Sequence, residues 1–420
     1  MSSINKISVR SEIGWLKSVI LHTPGKELHN MTPESAQRAL YSDILNMNVA
    51  QKEYAQLSGV LKMAATTFEI CDLLKDIVDN EKSRQNLVNH LCTHENVIEI
   101  RDFLLELSPD ELSRQLIEGV VMKKDNLTKF LSKEKYVLQP LHNFFFTRDS
   151  AIAINENVLI AQMANKVRKR ESLIMEAIFN SHPAFKTKTI NPEECNSCPS
   201  DTSVEGGDVL VLRDDILLIG SSIRTSTHGI DFIINQLKEM KLKRDLIVQE
   251  LPSNPESFIH LDMTFTMLDK DMCMVYEPLI MKPNKYQTIH VHIDHGEVQF
   301  IKQVENIPTV LKDLGLDLKP IVCGGTKDEW SQEREQWHSG ANFFAISPGK
   351  VIGYGRNAHT IEELHKNGFE VITAKDVISA KKHIEDYQKC VITIEGSELS
   401  RGGGGARCMT MPVFREKVDW

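Results

Sequence analysis

From about residue 136 onward, short apolar runs alternate with tight polar turns. Such runs, bounded by turn residues, predict buried β-strands. The same order recurs along this part of the chain: a polar motif, a first apolar run, a turn and a second apolar run. The polar motifs occupy residues 143–149, 205–208, 260–262, 340–342 and 401–408. The recurrence predicts five structural units of one kind.

Two arrangements fit this recurrence, a closed repeat whose motifs all face one axis and a set of five unrelated β-hairpins. The shared strand–turn–strand order favours the closed repeat. In that arrangement one central site would collect Asp149, Glu205, His260, Asn342 and Cys408.

Residues 33–135 have a different texture, rich in Leu, Lys, Glu and Gln. Apolar residues recur at helical spacing in stretches such as residues 51–63. We therefore predict a helical insertion at 33–135, which serves either as a cap over a site or as an embellishment of the fold.

Four consecutive glycines, residues 402–405, follow Arg401. After them come Ala406, Arg407 and Cys408. Ordering each glycine costs backbone entropy, so a run of them is destabilising unless the bare backbone is needed. One interpretation is a flexible loop before a buried thiol. The other is a loop that passes close to a ligand and presents Cys408 as a nucleophile.

Composition narrows the classes of partner. The chain has 420 residues, a formal net charge of -9 and a pI of about 6.0, which excludes a global basic surface for nucleic acid. No apolar run approaches the ~18 residues of a membrane helix, and the first residues lack the pattern of a secretory signal. We expect a cytoplasmic protein that binds neither nucleic acid nor membrane.

The eight cysteines are scattered, which argues against a disulfide framework. Cys195 and Cys198 have CxxC spacing, but no second pair of ligands accompanies them. A chance spacing in a surface loop is therefore favoured over a metal site.

The chemistry of the polar motifs depends on their combination. Cys408 and His260 supply a nucleophile and a proton shuttle. Carboxylates gathered around one axis, here Asp149, Glu205 and Asp262, repel one another unless a cation lies among them. Hard oxygen donors beside a soft thiolate suit no single metal ion, whereas a planar guanidinium can bind carboxylates in bidentate pairs.

With these motifs in this order, the whole chain resembles the arginine deiminases of the guanidino-group-modifying superfamily. The resemblance is carried by residues 11–14, 22–28, 143–149, 205–208, 260–262, 265–267 and 407–412. It implies an α/β fold, a pentein-type five-bladed propeller of pseudo-fivefold ββαβ repeats. The chain would be a single catalytic domain, residues 1–420, with the helical insertion at 33–135 inside it.

The resemblance implies hydrolysis of free L-arginine to L-citrulline and ammonia, with no cofactor and no metal. Cys408 would attack the guanidinium carbon and form a covalent thiouronium intermediate. His260 would protonate the departing ammonia and then activate water, while Glu205 positions and stabilises the imidazole. Asp149 and Asp262 would hold the guanidinium nitrogens.

Further residues are implied to contact the rest of the substrate: Asn143, Arg168, Arg224, Phe146, Leu40 and Gly402. The first three would bind the α-carboxylate and amine, the phenyl ring would pack along the aliphatic chain, and the last two would contribute backbone contacts. The resemblance also implies a homo-oligomer.

The chain departs from the family pattern at three places. Gly403 stands where the family usually has an arginine, which contacts the catalytic thiol or the substrate carboxylate. Arg401 or Arg407 could take over that role. The acidic pair of the first insertion helix is reduced to Asp43, and Ser150 replaces a proline. The loss of the arginine at position 403 bears on how tightly and how selectively the substrate binds.

Two alternative functions remain. One is a hydrolase of another guanidine compound, such as agmatine or a methylated arginine; Arg168 and Arg224 argue against agmatine, which has no carboxylate. The other is a binding or regulatory protein that retains the fold without turnover, against which the intact set of catalytic residues argues.

Overall fold

The computed structural model describes residues 5–241 and 243–420 and shows a mixed α/β fold. Residues 1–4, on which the prediction about a secretory signal partly rests, lie outside the described residues. None of the helices in this part of the chain has the length and apolarity that crossing a membrane needs.

Strands dominate the chain beyond residue 136. In chain order the strands are β1 (Asn5–Lys6), β2 (Leu16–Leu21), β3 (Thr66–Glu69), β4 (Val120–Val121), β5 (Tyr136–Leu138), β6 (Ala151–Ile154), β7 (Asn157–Ile160), β8 (Phe185–Lys186), β9 (Lys188–Ile190), β10 (Val209–Arg213), β11 (Ile216–Ser221), β12 (Arg244–Glu250), β13 (Phe265–Asp269), β14 (Met272–Val275), β15 (Thr288–Asp294), β16 (Glu297–Val304), β17 (Lys319–Val322), β18 (Phe344–Ser347), β19 (Lys350–Tyr354), β20 (Glu370–Thr373), β21 (Cys390–Ile394) and β22 (Met411–Arg415).

Helices lie mainly in the first third of the chain and between the later strands. In chain order the α-helices are α1 (Lys26–His29), α2 (Pro33–Arg38), α3 (Met47–Ala64), α4 (Ile70–Asp79), α5 (Glu81–Glu95), α6 (Arg101–Glu106), α7 (Pro109–Glu118), α8 (Leu127–Leu131), α9 (Thr147–Ser150), α10 (Lys169–Ser181), α11 (Thr227–Glu239), α12 (Glu277–Ile280), α13 (Ile307–Asp313), α14 (Glu329–Trp337), α15 (Ala358–Lys366) and α16 (Ala374–Ile378).

Five sheets share one arrangement, in which a central strand pairs antiparallel with one neighbour and parallel with the other. The five triplets are β22-β2-β3, β6-β7-β9, β10-β11-β12, β13-β14-β17 and β18-β19-β21. The hairpins that the sequence predicted after the first four polar motifs are thus present. The sheets are separate, and among the described residues none of them closes on itself.

The central strands are apolar without alternation because both of their faces are buried. In β11, Ile216 and Leu218 lie in one core cluster, while Leu217 and Ile219 lie in another. Two of the sheets are wider than three strands: β15 and β16 extend the sheet of β11, and β20 pairs with β21.

The segment 33–135 consists mainly of helices α2 to α8, interrupted by β3 and β4. β3 pairs in parallel with β2, so the segment also contributes a strand to a sheet. The helical spacing seen in the sequence places one face of α3 inside the core cluster that contains Cys408. The buried residues of that face are Ala50, Tyr54, Leu57, Val60 and Leu61.

Cys195 and Cys198 form a disulfide, with their Cα atoms 5.4 Å apart. This corrects the interpretation of their spacing as chance. The remaining six cysteines are free, so the bridge is local to one loop and no wider disulfide framework accompanies it.

A buried carboxylate joins α3 to the segment that precedes the glycine run. Glu53 accepts the backbone N–H of Ser397 at 2.6 Å, that of Glu398 at 3.0 Å and that of Leu399 at 2.9 Å. Because charge-assisted bonds to backbone N–H groups are among the stronger hydrogen bonds, this contact fixes the start of the loop that ends at Cys408.

We expect Glu53→Gln to lower the free energy of unfolding by about 2–3 kcal/mol, because a neutral amide offers the three backbone donors one oxygen and turns N–H groups toward them. Urea unfolding measures the change. Lys52→Gln, at the exposed neighbouring position, is the control and should change stability by no more than about 0.5 kcal/mol. Equal stability of the two variants would contradict the role of Glu53.

Candidate active site

His260 lies between two carboxylates that come from other sheets. Its Nε2 is 3.0 Å from Oε2 of Glu205, and its Nδ1 is 3.7 Å from Oδ1 of Asp149. All three side chains are buried. Each residue lies in or directly before the short helical turn that precedes a strand, β6 for Asp149, β10 for Glu205 and β13 for His260.

Cys408 contacts a carboxylate and an amide. Its Sγ is 3.6 Å from Oδ2 of Asp262 and accepts a hydrogen bond from Nδ2 of Asn342 at 3.2 Å. Oδ1 of Asn342 accepts the backbone N–H of Arg407 at 2.9 Å. Asn342 therefore holds both the thiol and the backbone next to it.

The charges around His260 favour its protonated form. Burial lowers the pKa of His260, but the negative charges of Asp149 and Glu205 outweigh burial and raise that pKa to about 9. Burial raises the pKa of Glu205, yet the hydrogen bond from His260 and the charge of Arg224 lower it to about 2. At neutral pH the pair is an imidazolium and a carboxylate, so His260 holds a proton that it can donate.

The same surroundings oppose ionisation of Cys408. Burial and the charges of Asp262 and Asp149 raise the pKa of the thiol well above its usual value, and the opposing effect of Arg407 is smaller. Asp149 therefore acts on both the thiol and the imidazole. A thiolate at Cys408 requires additional positive charge close to the sulfur.

Arg407 is the buried cation of the cysteine side of the site. Its Nη1 donates to Oδ2 of Asp262 at 2.9 Å, and its Nε and Nη2 donate to Glu12 at 2.9 and 3.0 Å. Sequence reasoning did not predict Glu12 as a site residue. The residue falls within a recognised motif, but no local pattern shows that it pairs with an arginine 395 residues away.

Arg168, predicted to bind the substrate carboxylate, is held by two carboxylates. Its Nη1 lies 2.8 Å from Oδ2 of Asp149, and its Nε and Nη2 donate to Glu171 at 3.1 and 2.8 Å. Glu171, in the first turn of α10, was not predicted; its only sequence signal is the three-residue spacing from Arg168.

Arg224 and Asn143 were also predicted to bind the substrate. Nη1 of Arg224 is 3.8 Å from Oε1 of Glu205. Nδ2 of Asn143 donates to the carbonyl of Ala39 at 2.8 Å, which ties the segment carrying Leu40 to the site. Leu40 itself is 39% exposed and has a φ of 66°.

The glycine run passes close to side chains of the site. A Cβ on Gly404 would lie 2.5 Å from the ring of Phe146, and one on Gly405 would lie 2.6 Å from Oδ1 of Asn342. Gly402 lies beside Phe146, and Gly403 has a φ of 85°. The close approach supports the interpretation of this run as a site loop, because any larger residue at 404 or 405 would displace a neighbour.

The two arginines predicted as substitutes at position 403 lie in different places. Arg407 contacts Asp262 inside the site. Arg401 is on the surface, where it pairs with Asp43 and, at 3.0 Å, with Glu398. Of the two, Arg407 is therefore the one that supplies positive charge near Cys408.

A cavity of about 260 Å³ lies beside the glycine run. Asp43 and Arg401 lie along it, together with Gly403, Trp337 and Met263. Sδ of Met263 is 3.9 Å from the cysteine Sγ. Gly403 and Asp43 thus line a cavity whose wall also includes the methionine that contacts the thiol.

Asp149, Glu205 and His260 bring three potential metal-ligand atoms to within 4.8 Å of one another. Guanidinium groups of Arg168 and Arg224 already lie within 4 Å of these two carboxylates, and a protonated imidazole cannot bind a metal. The donor set suits a cationic organic group better than a metal ion.

A sequence model of the family "Arginine deiminase" matches residues 37–415. The arginine deiminase of Oenococcus oeni is 31% identical over 431 aligned residues, covering 98% of this chain and 98% of the relative. That of Borrelia recurrentis is 32% identical and covers all of both chains.

Two solved structures share the fold at 14% sequence identity. The N-terminal domain of ArgZ, a cyanobacterial arginine dihydrolase bound to its product, has a TM-score of 0.52 and covers 95% of this chain and 97% of the other. DDAH from Pseudomonas aeruginosa in complex with citrulline has a TM-score of 0.51, with 94% and 99% covered.

We expect Asp262→Asn to lower the apparent pKa of the Cys408 thiol, because the change removes the negative charge 3.6 Å from Sγ and leaves Arg407 less compensated. The measurement is the rate of iodoacetamide labelling against pH, followed on the Cys408 peptide by mass spectrometry. Asp269→Asn, which pairs with Lys389 outside the site, is the control. A labelling profile that does not move to lower pH would contradict the electrostatic account.

Proposed function

This chain belongs to the arginine deiminase family, and on that premise we propose that it hydrolyses free L-arginine to L-citrulline and ammonia. The observation that carries the proposal is a thiol, Cys408, beside Asp262 and an imidazolium, His260, beside Glu205, with the charge of Asp149 acting on both. Acidic groups on both sides suit a substrate whose reacting group is a planar cation.

In the first step the substrate guanidinium lies against Asp149 and Asp262. Its positive charge stabilises the Cys408 thiolate, which the surrounding carboxylates otherwise oppose, so the thiol releases its proton to solvent, where the ammonia produced takes up one proton per turnover. The thiolate forms a bond to the guanidinium carbon, His260 gives its proton to the departing nitrogen, and the carbon–nitrogen bond breaks. Ammonia leaves, and an S-alkylthiouronium remains on Cys408.

In the second step water attacks the thiouronium carbon. His260, neutral after the first step, accepts a proton from this water while its Nε2 stays bound to Glu205. The carbon–sulfur bond then breaks, and the remaining hydroxyl proton of the intermediate goes to the departing sulfur. Citrulline leaves, and the resting thiol and imidazolium are regenerated. Glu205 acts as a positioning residue because its negative charge stabilises the protonated imidazole.

Arg168 and Arg224 bind the substrate α-carboxylate in this proposal, and Asn143 binds near the amine. Arg168 holds Asp149 at 2.8 Å, so the substrate guanidinium takes over that carboxylate while Arg168 keeps its bonds to Glu171. Phe146 packs along the aliphatic chain, with Leu40 and Gly402 contributing backbone contacts. The burial of Phe146 beside the glycine run supports this placement.

We also infer a five-bladed propeller for the overall architecture, supported by the strand order that five sheets share. The proposal includes one catalytic domain over residues 1–420, with 33–135 as an insertion whose α3 holds the loop before Cys408. A cytoplasmic homo-oligomer remains part of the proposal.

The test is release of citrulline and ammonia from L-arginine, with agmatine and a methylated arginine as parallel substrates. We expect equimolar products from L-arginine and a loss of at least roughly 10³-fold in kcat for Cys408→Ala. Cys92→Ala, a buried cysteine of α5, is the control and should retain activity. Turnover of agmatine but not arginine would support the other guanidine hydrolase, and no turnover of any of them would support a binding protein.

We expect Arg224→Gln to raise the KM for L-arginine by about 10–100-fold, since a charge-assisted pair contributes about 1.5–3 kcal/mol. Any residual activity on agmatine, which has no carboxylate, should change far less. Arg213→Gln, whose ion pair with Asp215 lies outside the site, serves as the control. An equal loss on both substrates would show that Arg224 acts through Glu205 and not through the substrate carboxylate.

A further inference from the structure

A second group of titratable side chains lies on the widest sheet, away from Cys408. It consists of Asp245 on β12 with His290 and His292 on β15. Asp245 pairs directly opposite His292 in the antiparallel register. His290 lies two residues before His292, so both imidazoles stand on one face of the sheet.

One carboxylate oxygen joins the group. Oδ1 of Asp245 is 2.7 Å from Nε2 of His290 and 2.7 Å from Nδ1 of His292. The side chains of Asp245 and His290 are 9% and 7% exposed, and that of His292 is 19% exposed. The group is therefore largely buried, with His292 open toward solvent.

Phe300 on β16 packs against the two imidazoles. Its ring stacks on His292 with 5.4 Å between centroids and meets the edge of His290 at 5.0 Å. Residues whose orientation is fixed by packing lose little freedom when they bind an ion. Three donor atoms are thus held in place before any ligand arrives.

We propose that Asp245, His290 and His292 bind a divalent transition-metal ion of the Zn²⁺ class. Two imidazole nitrogens and one carboxylate oxygen form a donor set typical of such ions, with water completing the coordination. Donor atoms around a tetrahedral zinc lie roughly 3.4 Å apart, given ligand distances of about 2.1 Å. The two 2.7 Å contacts need to open only slightly, and each imidazole proton moves to the other ring nitrogen.

The alternative is that the three side chains only hydrogen-bond to one another and bind no ion. The negative charge of Asp245 argues against it. Within the described residues, the basic side chains within 4 Å of its carboxylate oxygens are these two histidines alone. Lys302, opposite His290 on β16, places its Nζ over the Phe300 ring at 4.8 Å instead. A buried carboxylate without a lysine or arginine partner favours a bound cation. At the active site, by contrast, guanidinium groups already fill that role.

The site would join β12 to β15. Asp245 lies opposite Ile216, the first residue of β11. The other end of β11 leads to Ser222, which donates a hydrogen bond to Asp208 in one of the polar motifs. The ion therefore lies at the end of the sheet remote from the catalytic motifs. Its expected effect is to fasten the β15–β16 hairpin, leaving arginine hydrolysis unchanged.

The test is titration of the full chain with Co²⁺, followed by its visible absorption, and with Zn²⁺ by calorimetry. We expect one equivalent to bind with a spectrum of nitrogen and oxygen ligands and no sulfur-to-cobalt charge-transfer band. The double variant His290→Gln/His292→Gln should bind at least tenfold more weakly. His295→Gln, an exposed histidine in the turn of the same hairpin, should bind as the unaltered chain does.

Asp245→Asn keeps the shape of the group and removes its charge, so it should also lose the ion even if the double variant folds poorly. Circular dichroism checks the fold of each variant, and the arginine assay is run alongside. Equal binding by the double variant and the unaltered chain would overturn the proposal, as would no binding by the unaltered chain. The metal result does not depend on whether the proposed arginine hydrolysis is found.

Discussion

The buried guanidinium of Arg407 joins segments that are far apart in the sequence. It donates to Glu12, to Asp262 and to the carbonyl of Val209, while its own backbone N–H donates to Asn342. Removing one partner of such a buried pair leaves an uncompensated charge, which typically costs 3–5 kcal/mol. Cys408 is the next residue. Its position therefore depends on the ion pairs of Arg407 with Glu12 and Asp262, which belong to segments that no single sheet connects.

Charge neutralisation also explains why the pKa values of the buried acidic groups differ. Glu205 faces His260 and two arginines and is held ionised. Asp208, buried close by and bonded to a serine hydroxyl, has its pKa raised to about 7, chiefly by burial. Two carboxylates three residues apart thus differ because of what they face. The same principle makes the thiol at Cys408 dependent on an incoming cation.

The sequence was informative where chemistry and local structure coincide. The turn before each hairpin is short and polar, so Asp149, Glu205 and His260 could be proposed as site residues from their places before apolar runs. Long-range partners could not be identified in this way. Glu12 meets Arg407 only through folding, and β3 joins the first sheet from within a stretch whose periodicity is helical.

The width of the sheets was likewise outside the reach of sequence pattern. β16 is mostly exposed and β15 alternates. No apolar run therefore signals that β15 pairs with β12 and β16 with β15. Arg168 illustrates a further limit. Its place near the site was predicted by resemblance, but its contacts with Asp149 and Glu171 depend on how α10 is placed against α9.

The order of strands in the sheet β22-β2-β3 has a consequence for folding during synthesis. β2, residues 16–21, lies between β3 and β22, and β22 comprises residues 411–415. During synthesis the amino-terminal strand emerges long before one of its two neighbours exists. Until residues 411–415 have been made, one edge of β2 has no partner and the segment that carries Cys408 is not held by this sheet. The site therefore cannot form before β22 is available, and β2 must be kept from pairing with other chains until then.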